Sequence, residues 1–227
     1  LEECDIRSIT YDSRKVKDGT LFVAIRGIQT DGHDYILSAL KNGAIAILSN
    51  GRSIKGLPVP VIQVENPRES MSRLSANFYD NPSEDMTIVG ITGTNGKTSI
   101  TNILNFILSE NQMPCGTLGT LGFTTPSGMI TTGFTTPESV EVQQLLHTLK
   151  SGGINHVVME ISSHALALHR VDDVDVDIAV FTNLTQDHLD FHKSMENYFN
   201  AKLKLFQNLK KKKKAIINLD DNWANKI

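Results

Sequence analysis

A turn near the middle of the chain has the residue types of a phosphate-binding loop. It follows an apolar segment that ends at Ile91, precedes a segment with helical spacing, and contains Gly93, Gly96, Lys97 and Thr98. Glycines let the backbone N–H groups curl inward, and a helix N-terminus adds partial positive charge, so the turn is suited to a phosphate. Lys97 would neutralise the outer phosphates, and the Thr98 hydroxyl would bind Mg²⁺. Because Ile91 replaces the first glycine of the longer loop pattern, a plain glycine-rich turn is the alternative.

A carboxylate closes another apolar segment. Glu160 ends the residues HVVME, at 156–160, which are typical of a buried strand. A carboxylate in such a strand is costly unless it meets a cation, and Mg²⁺ held also by Thr98 would supply one. In parallel sheets, ligands bind at the carboxyl ends of the strands, where this side chain would lie. The alternative is a glutamate on an edge strand that faces water.

Two histidines follow a third apolar segment. His188 and His192 are four residues apart in TNLTQDHLDFH, at 182–192, and would share one face of a helix. Histidines at this spacing can bind zinc, but no third ligand with suitable spacing follows. By itself the segment is more typical of a polar loop with ordinary histidines.

Lys202 lies at the border of an apolar helix face. Helical spacing places Phe199, Leu203 and Phe206 on that face. A lysine at such a border usually extends its amine to water, and the spacing favours this interpretation. The alternative is burial, which would lower the pKa of the amine and make it reactive.

Strand-like and helix-like segments alternate along the chain. Before residue 80 the pattern predicts strands at 19–25, 45–48 and 59–64, and helices at 33–44 and 67–79. From residue 86 it predicts strands at 86–91, 156–162, 177–183 and 215–219, and helices at 98–110, 139–153 and 194–209. The polar segment 80–85 is predicted to be a linker between two domains, 1–83 and 84–227. The alternation predicts the α/β class, with a mainly parallel sheet covered by helices on both faces.

Composition excludes several classes of partner. The net charge is −3, so no nucleic-acid partner is expected. Cys4 and Cys115 are the only cysteines, and they lack metal-ligand spacing, which favours a reducing compartment. No apolar run approaches the roughly 18 residues of a membrane span, and no signal pattern is visible. We therefore expect a cytoplasmic protein without a membrane partner, a monomer by default, with Lys210 to Lys214 as a solvated turn.

These segments resemble the Mur ligases, the family that builds the peptidoglycan precursor. The family's ATP loop is similar to TGTNGKTS, and its N-terminal nucleotide-sugar domain to YDSRKVKDGTLFVAIRGIQTDGHDYI. The members that add the third peptide residue are similar to GFTTPESVEVQ, VVMEISSHALALHRV and FTNLTQDHLDFH with the later AK. The resemblance covers essentially all 227 residues. It implies a small N-terminal α/β domain and a central phosphate-loop domain, which would be incomplete at residue 227 and lack the family's third domain.

The resemblance also implies roles for individual residues. The ATP loop would comprise Gly93, Thr94, Asn95, Gly96, Lys97, Thr98 and Ser99. Glu160 matches a Mg²⁺-binding glutamate, His188 a histidine at a second Mg²⁺, and Lys202 a lysine carried as a CO₂-derived carbamate. The uridine diphosphate positions are matched by Tyr11, Ser13, Ile28, Gln29 and Thr30, and those of the muramoyl peptide by Thr135, Thr136, Ser162, Leu168 and Arg170. Two of these depart from the family pattern: Leu168 replaces a common glutamine, and Ile28 a common histidine.

The implied reaction is an ATP-dependent ligation. A diamino acid, meso-diaminopimelate or L-lysine, would be joined to the D-glutamate of UDP-N-acetylmuramoyl-L-alanyl-D-glutamate through an acyl phosphate. Residues 1–227 alone would then be inactive, because the central sheet of the family would be incomplete. One alternative is a non-catalytic nucleotide-sugar-binding module. Another is a different member of the superfamily that includes folylpolyglutamate synthetase, although the first-domain segment argues against the folate enzyme.

Overall fold

The computed structural model describes residues 4–27, 30–51, 56–125, 128–130, 133, 135–210 and 212–227. The chain forms two compact units, Leu1–Ser75 and Ala76–Ile227. Within the described ranges, none of the helices is both long enough and apolar enough to cross a bilayer.

The first unit contains a four-stranded parallel sheet. Its strands, in spatial order, are β1 (Ser8–Thr10), β2 (Thr20–Val23), β3 (Ala44–Ser49) and β4 (Val61–Gln63). The helices are α1 (Ile36–Lys41) and α2 (Pro67–Phe78), which continues past the boundary between the units. Phe22, Ile36 and Ile47 form the centre of the apolar core. The helix predicted at 33–44 is a 3₁₀ turn, Gly32–Tyr35, followed by α1.

The second unit contains a seven-stranded sheet. The strands are β5 (Thr87–Thr92), β6 (Cys115–Gly119), β7 (Gly122–Thr125), β8 (Gly128–Ile130), β9 (His156–Glu160), β10 (Ile178–Phe181) and β11 (Lys214–Ile217). Their order is β11-β10-β5-β9-β6-β7-β8; the pairs β6–β7 and β7–β8 are antiparallel, and the other pairs are parallel. The helices are α3 (Lys97–Glu110), α4 (Ser139–Ser151), α5 (Ser163–Ala167), α6 (Leu189–His192) and α7 (Met195–Gln207).

Successive residues of the parallel strands supply two apolar layers, one on each face of the sheet. Ile88 of β5 packs with residues from α4, α5 and α7, whereas Ile91 packs with residues from α3. Both faces therefore bury branched side chains under helices, as parallel sheets require. The predicted α/β class and mainly parallel sheet are confirmed. The sequence pattern missed β6, β7 and β8, because their glycines and threonines interrupt the apolar runs.

Two segments predicted to be solvated are partly packed. In the predicted linker 80–85, Pro82–Asp85 form a 3₁₀ helix, and the buried Ser83 hydroxyl accepts a hydrogen bond from the backbone N–H of Asp175 at 3.0 Å. In the lysine run, Lys213 forms ion pairs with Asp175 and Asp177. Residue 211 of that run lies outside the described residues. Polar residues whose local pattern indicates only a loop thus form hydrogen bonds and ion pairs with distant parts of the unit.

Candidate active site at the carboxyl ends of the central strands

The glycine-lysine turn has the backbone geometry of a ligand-binding loop. It connects the end of β5 to the start of α3, and Gly93 and Gly96 have φ angles of 147° and 86°. These are conformations that other residues rarely adopt. A β-carbon at residue 93 would lie 1.8 Å from the Thr182 hydroxyl, so this position also has no room for a side chain. The loop can bring its backbone close to a ligand only with glycine here.

Lys97 folds back over this loop. Its amine donates to the carbonyl oxygens of Gly93 and Thr94, at 2.9 and 3.0 Å. Burial lowers the pKa of Lys97, opposed by the charges of Glu160 and Asp187. Lys97 also lines the cavity beside the loop, where phosphate oxygens would replace carbonyl oxygens as its acceptors.

The segment after β10 fixes the shape of the loop. The N–H groups of Thr94 and Asn95 donate to the backbone and side-chain oxygens of Asn183, at 2.9 and 3.0 Å. The Thr182 hydroxyl donates to the carbonyl of Asn95 at 2.7 Å, and the Thr94 hydroxyl accepts from the N–H of Thr185 at 3.0 Å. Sequence reasoning missed this support, since nothing in the local pattern links residues about 90 positions apart.

Glu160 lies at the centre of the sheet rather than at its edge. β9 is flanked by β5 and β6, and Glu160 is 1% exposed. Its carboxylate accepts hydrogen bonds from the Thr98 hydroxyl at 2.9 Å, the Thr120 N–H at 3.0 Å and the Thr120 hydroxyl at 3.2 Å. The edge-strand alternative is therefore wrong, and Thr120 is a site residue that sequence reasoning missed.

The donor set at Glu160 suits Mg²⁺. The described residues contain no cluster of three His, Cys, Asp or Glu side chains that could hold a metal ion by themselves. Mg²⁺, however, usually takes one or two protein oxygens, and phosphate and water oxygens complete its coordination. A buried carboxylate in contact with the Thr98 hydroxyl, at the start of α3, offers such a pair. The residues present therefore fit a magnesium ion that arrives with a nucleotide.

Lys202 is buried beneath the same loop. It is 2% exposed, its amine donates to the Gly93 carbonyl at 2.9 Å, and it lies 4.6 Å from the centre of the Tyr198 ring. Burial, followed by the nearby Lys97 charge and opposed by the charge of Asp187, lowers its pKa to about 7. The expected extension of the amine to water is wrong, and burial is confirmed. A fraction of this amine is neutral near pH 7, as carbamate formation requires.

The two histidines have different environments. His188 precedes α6 with a left-handed φ of 51°, and its side chain is 46% exposed. His192 is buried, and its Nε2 lies 2.9 Å from the Ser163 hydroxyl. Burial, followed by the charge of His164, lowers the pKa of His192 to about 4. His192 is thus a packed neutral side chain, whereas His188 is accessible to a ligand.

One cavity of about 250 Å³ brings most of the predicted nucleotide and metal residues together. It is lined by Thr94, Asn95, Gly96, Lys97, Thr98, Ser99, Thr120, Thr135, Glu160, Ser162 and His188. Lys202 contacts the loop from below through Gly93. The register explains this convergence, because Ile91 pairs with Glu160 and Thr92 pairs with Phe181, so three strands end at one level.

The predicted peptide-binding residues are only partly at this cavity. Thr136 is buried, and its hydroxyl donates to the Glu160 carbonyl at 2.8 Å. Arg170 makes an ion pair with Glu138 at 2.8 Å and donates to the Thr136 carbonyl at 2.9 Å. Leu168 caps the end of α5, and neither it nor Arg170 is among the described residues that line the cavity. The Arg170–Glu138 pair therefore secures the segment that supports Glu160.

The predicted uridine diphosphate residues belong to the first unit. Ser13 is buried at the start of a 3₁₀ helix, Ser13–Lys15, and its carbonyl accepts from the Asn42 side chain at 2.9 Å. Tyr11 is half-buried and Thr30 is exposed. Ile28 and Gln29 lie outside the described residues.

Close packing against Glu160 makes Gly119 a sensitive position. A β-carbon at Gly119 would lie 2.1 Å from Oε1 of Glu160, so Gly119→Ala must displace the carboxylate. We expect the Mg²⁺ concentration that gives half-maximal activity in the full-length protein to rise by about 10–100-fold, because residues that contact a metal ligand set the orientation of that ligand. A Mg²⁺ titration of the initial rate measures this.

Gly152→Ala is the matched control for this titration. A β-carbon at Gly152 would meet only ordinary contacts, the nearest at 3.4 Å, and this residue lies at the end of α4. An unchanged Mg²⁺ requirement in Gly119→Ala, with normal folding by circular dichroism, would contradict the assignment of Glu160.

Comparison with known families identifies the chain. Residues 91–227 match the Mur ligase middle domain, and residues 5–79 match the Mur ligase family catalytic domain. The chain belongs to the Mur ligase family. Mur ligases are ATP-dependent enzymes of peptidoglycan synthesis, which agrees with a phosphate-binding loop beside a candidate magnesium site.

Curated relatives of this Mur ligase chain share one name. This chain is 49% identical over 221 residues to the UDP-N-acetylmuramoyl-L-alanyl-D-glutamate–2,6-diaminopimelate ligase of Caldanaerobacter subterraneus subsp. tengcongensis. Identity to the ligase of that name from Clostridioides difficile is 46% over 224 residues. The alignments cover 97% and 98% of this chain but only 45% and 46% of the relatives. The chain thus spans about half the length of the curated relatives it matches.

Solved structures agree with this assignment. A structure of a UDP-N-acetylmuramoyl-L-alanyl-D-glutamate–2,6-diaminopimelate ligase superposes with a TM-score of 0.82 at 33% identity, covering 97% of this Mur ligase chain and 44% of that one. The MurF ligase of Thermotoga maritima, in complex with ADP, gives 0.67 at 24% identity, covering 100% of this chain and 49% of that one. At that identity the likeness to MurF shows only the fold.

Proposed function

We propose that the protein joins 2,6-diaminopimelate to the D-glutamate of UDP-N-acetylmuramoyl-L-alanyl-D-glutamate with the consumption of ATP. The observation that carries the proposal is the single cavity in which Lys97, Thr98, Glu160 and His188 converge. The names of relatives up to 49% identical support the choice of substrates.

The nucleotide loop would hold the phosphates of ATP. The N–H groups at the start of α3 favour an anion, and Lys97 would move from the Gly93 and Thr94 carbonyls to the phosphate oxygens. The terminal phosphoryl group would pass to the substrate carboxylate, which gives an acyl phosphate and ADP. Attack by the amine of the diamino acid would then form the amide and release phosphate. Lys97 would stabilise the negative charge that shifts during the first step.

Magnesium would be held by Thr98 and Glu160, with a second ion near His188 and a carbamate on Lys202. A bound ion would supply neutralisation of phosphate charge. Before a ligand arrives, the threonine hydroxyls at 98 and 120 orient the Glu160 carboxylate. Lys202 needs modification for its part, because its ammonium form only donates hydrogen bonds. Addition of its neutral amine to CO₂, with release of a proton, would give a carbamate anion with two oxygens.

A ligation assay with the full-length protein tests this function. The purified protein is incubated with the UDP-muramoyl dipeptide, Mg²⁺-ATP and either diaminopimelate or L-lysine, and the products are identified by mass spectrometry. We expect the UDP-muramoyl tripeptide with diaminopimelate, together with ADP and phosphate in equal amounts. ATP-independent product, or product only with L-lysine, would contradict the proposed reaction or its diamino acid.

A further inference from the structure

Asp221 joins two segments that are distant in sequence. Its carboxylate accepts the N–H of Leu184 on one oxygen and the N–H of Trp223 on the other, both at 2.8 Å. Leu184 lies in the segment after β10, and Asp221 and Trp223 lie in the segment after β11. One carboxylate therefore fixes the backbone of both segments at the same edge of the sheet.

The segment that Asp221 fixes is the one that supports the nucleotide loop. Leu184 stands between Asn183 and Thr185, which bond to Thr94 and Asn95 of the loop. Asn218 adds a second link, since its side-chain amide donates to the Thr182 carbonyl at 2.9 Å. Asp221 is thus connected to the nucleotide loop through the 182–185 backbone and the hydrogen bonds at its two sides.

We propose that Asp221 is a positioning residue for the nucleotide loop, acting through the 182–185 segment. The inference rests on the proposed function, because it takes the loop to be the ATP site. Both carboxylate oxygens are needed, since each accepts a different N–H group. Asparagine has only one acceptor oxygen and would support one of the two segments, whereas alanine would support neither.

The position of Trp223 gives this coupling an optical signal. Trp223 is the only tryptophan among the 227 residues. Its backbone N–H donates to Asp221, and its ring packs against Phe199 with 5.0 Å between ring centres. Nucleotide binding that tightens the 93–98 loop should change the environment of this ring through the 182–185 segment and Asp221.

The test compares neighbouring acidic residues. Mg²⁺-ADP is titrated into the full-length protein and its Asp221→Ala, Asp221→Asn and Asp220→Ala variants, and the dissociation constant is taken from calorimetry. Tryptophan emission is recorded in parallel, and a Trp223→Phe variant shows which part of the signal belongs to Trp223. Asp220 is exposed and carries the same charge, so Asp220→Ala is the matched control. Asp221→Ala should weaken ADP binding by about tenfold and remove the emission change, Asp221→Asn should have a smaller effect, and Asp220→Ala should match the wild type.

Two outcomes separate this inference from the proposed function. Equal ADP affinity and equal emission changes in Asp221→Ala and Asp220→Ala would overturn the role of Asp221, while the nucleotide site would stand. Failure of the full-length wild-type protein to bind ADP, or equal binding by Lys97→Ala, would overturn both. Circular dichroism confirms that each variant is folded, and if Asp221→Ala does not fold, wild-type affinity and signal in Asp221→Asn would overturn the role.

Discussion

Lys97→Ala should reduce ATP turnover by the full-length protein to background. Lys97 is a cation that lines the cavity, and it already contacts two carbonyl oxygens of the loop. Without it, the charge that develops on the transferred phosphoryl group loses a preorganised partner, a loss that costs about 10²–10³-fold in rate even for a single neutral donor. Release of phosphate from ATP in the presence of the muramoyl dipeptide and the diamino acid measures the effect.

A lysine on the same unit provides the control for this variant. Lys150 lies near the end of α4 and pairs with Asp85. Lys150→Ala removes the same charge and should leave turnover nearly unchanged. Wild-type turnover by Lys97→Ala would contradict the assignment of the loop to ATP phosphates.

Lys202→Ala should remove most of the activity, and short-chain carboxylates such as acetate or propionate should restore part of it. Deleting the buried amine leaves space beneath Gly93 that a small carboxylate can enter, where its two oxygens replace those of a carbamate. The measurement is the initial ligation rate as the carboxylate concentration is raised. Lys204→Ala, two residues further along α7, is the control and should need no rescue.

The lowered pKa of Lys202 also sets the sign of the pH dependence. Only the neutral amine captures CO₂, so carbamate formation should increase as the pH rises through about 7 and decrease at lower pH. Protein kept in CO₂-free buffer at pH 6 should lose activity, and bicarbonate at pH 8 should restore it. Full activity of Lys202→Ala without added carboxylate would show that no carbamate is needed.

The same burial links Lys202 to folding. Between pH 7 and the ordinary lysine pKa of 10.5, the unfolded chain binds a proton that the folded chain does not. Because of this group, the free energy of unfolding of the unmodified protein should therefore increase as the pH rises through that range. The amine is a cost to stability at neutral pH, which is typical of residues kept for chemistry rather than packing.

Two lysines share one acceptor in this site. The amines of Lys97 and Lys202 both lie 2.9 Å from the Gly93 carbonyl oxygen. Their mutual repulsion helps to lower the pKa of Lys202, after burial as the largest cause. Conversion of Lys202 to a carbamate would replace this repulsion with attraction, so the modification and the position of Lys97 should depend on each other.

The sequence by itself determined the local chemistry of this protein. Glycines 93 and 96 with Lys97 and Thr98, between apolar and helical segments, predict a phosphate-binding loop because φ preference, helix polarity and side-chain type are all local properties. Alternation of strand and helix patterns likewise predicts the α/β class. The apolar segment that ends at Glu160 also predicts a cation beside that carboxylate. The family resemblance was needed for His188 and Lys202, for which residue spacing alone favoured more ordinary roles.

Only the tertiary structure decided which of these residues meet and which are buried. The parallel register brings the ends of β5, β9 and β10 to one level, which joins residues about 70 to 90 positions apart at one cavity. Burial of Lys202, the contacts of Thr120 with Glu160 and the link from Asp221 to Leu184 all arise from neighbours on other strands or segments. Local pattern cannot encode them, because pKa and hydrogen-bond partnership depend on what surrounds a side chain in space rather than along the chain.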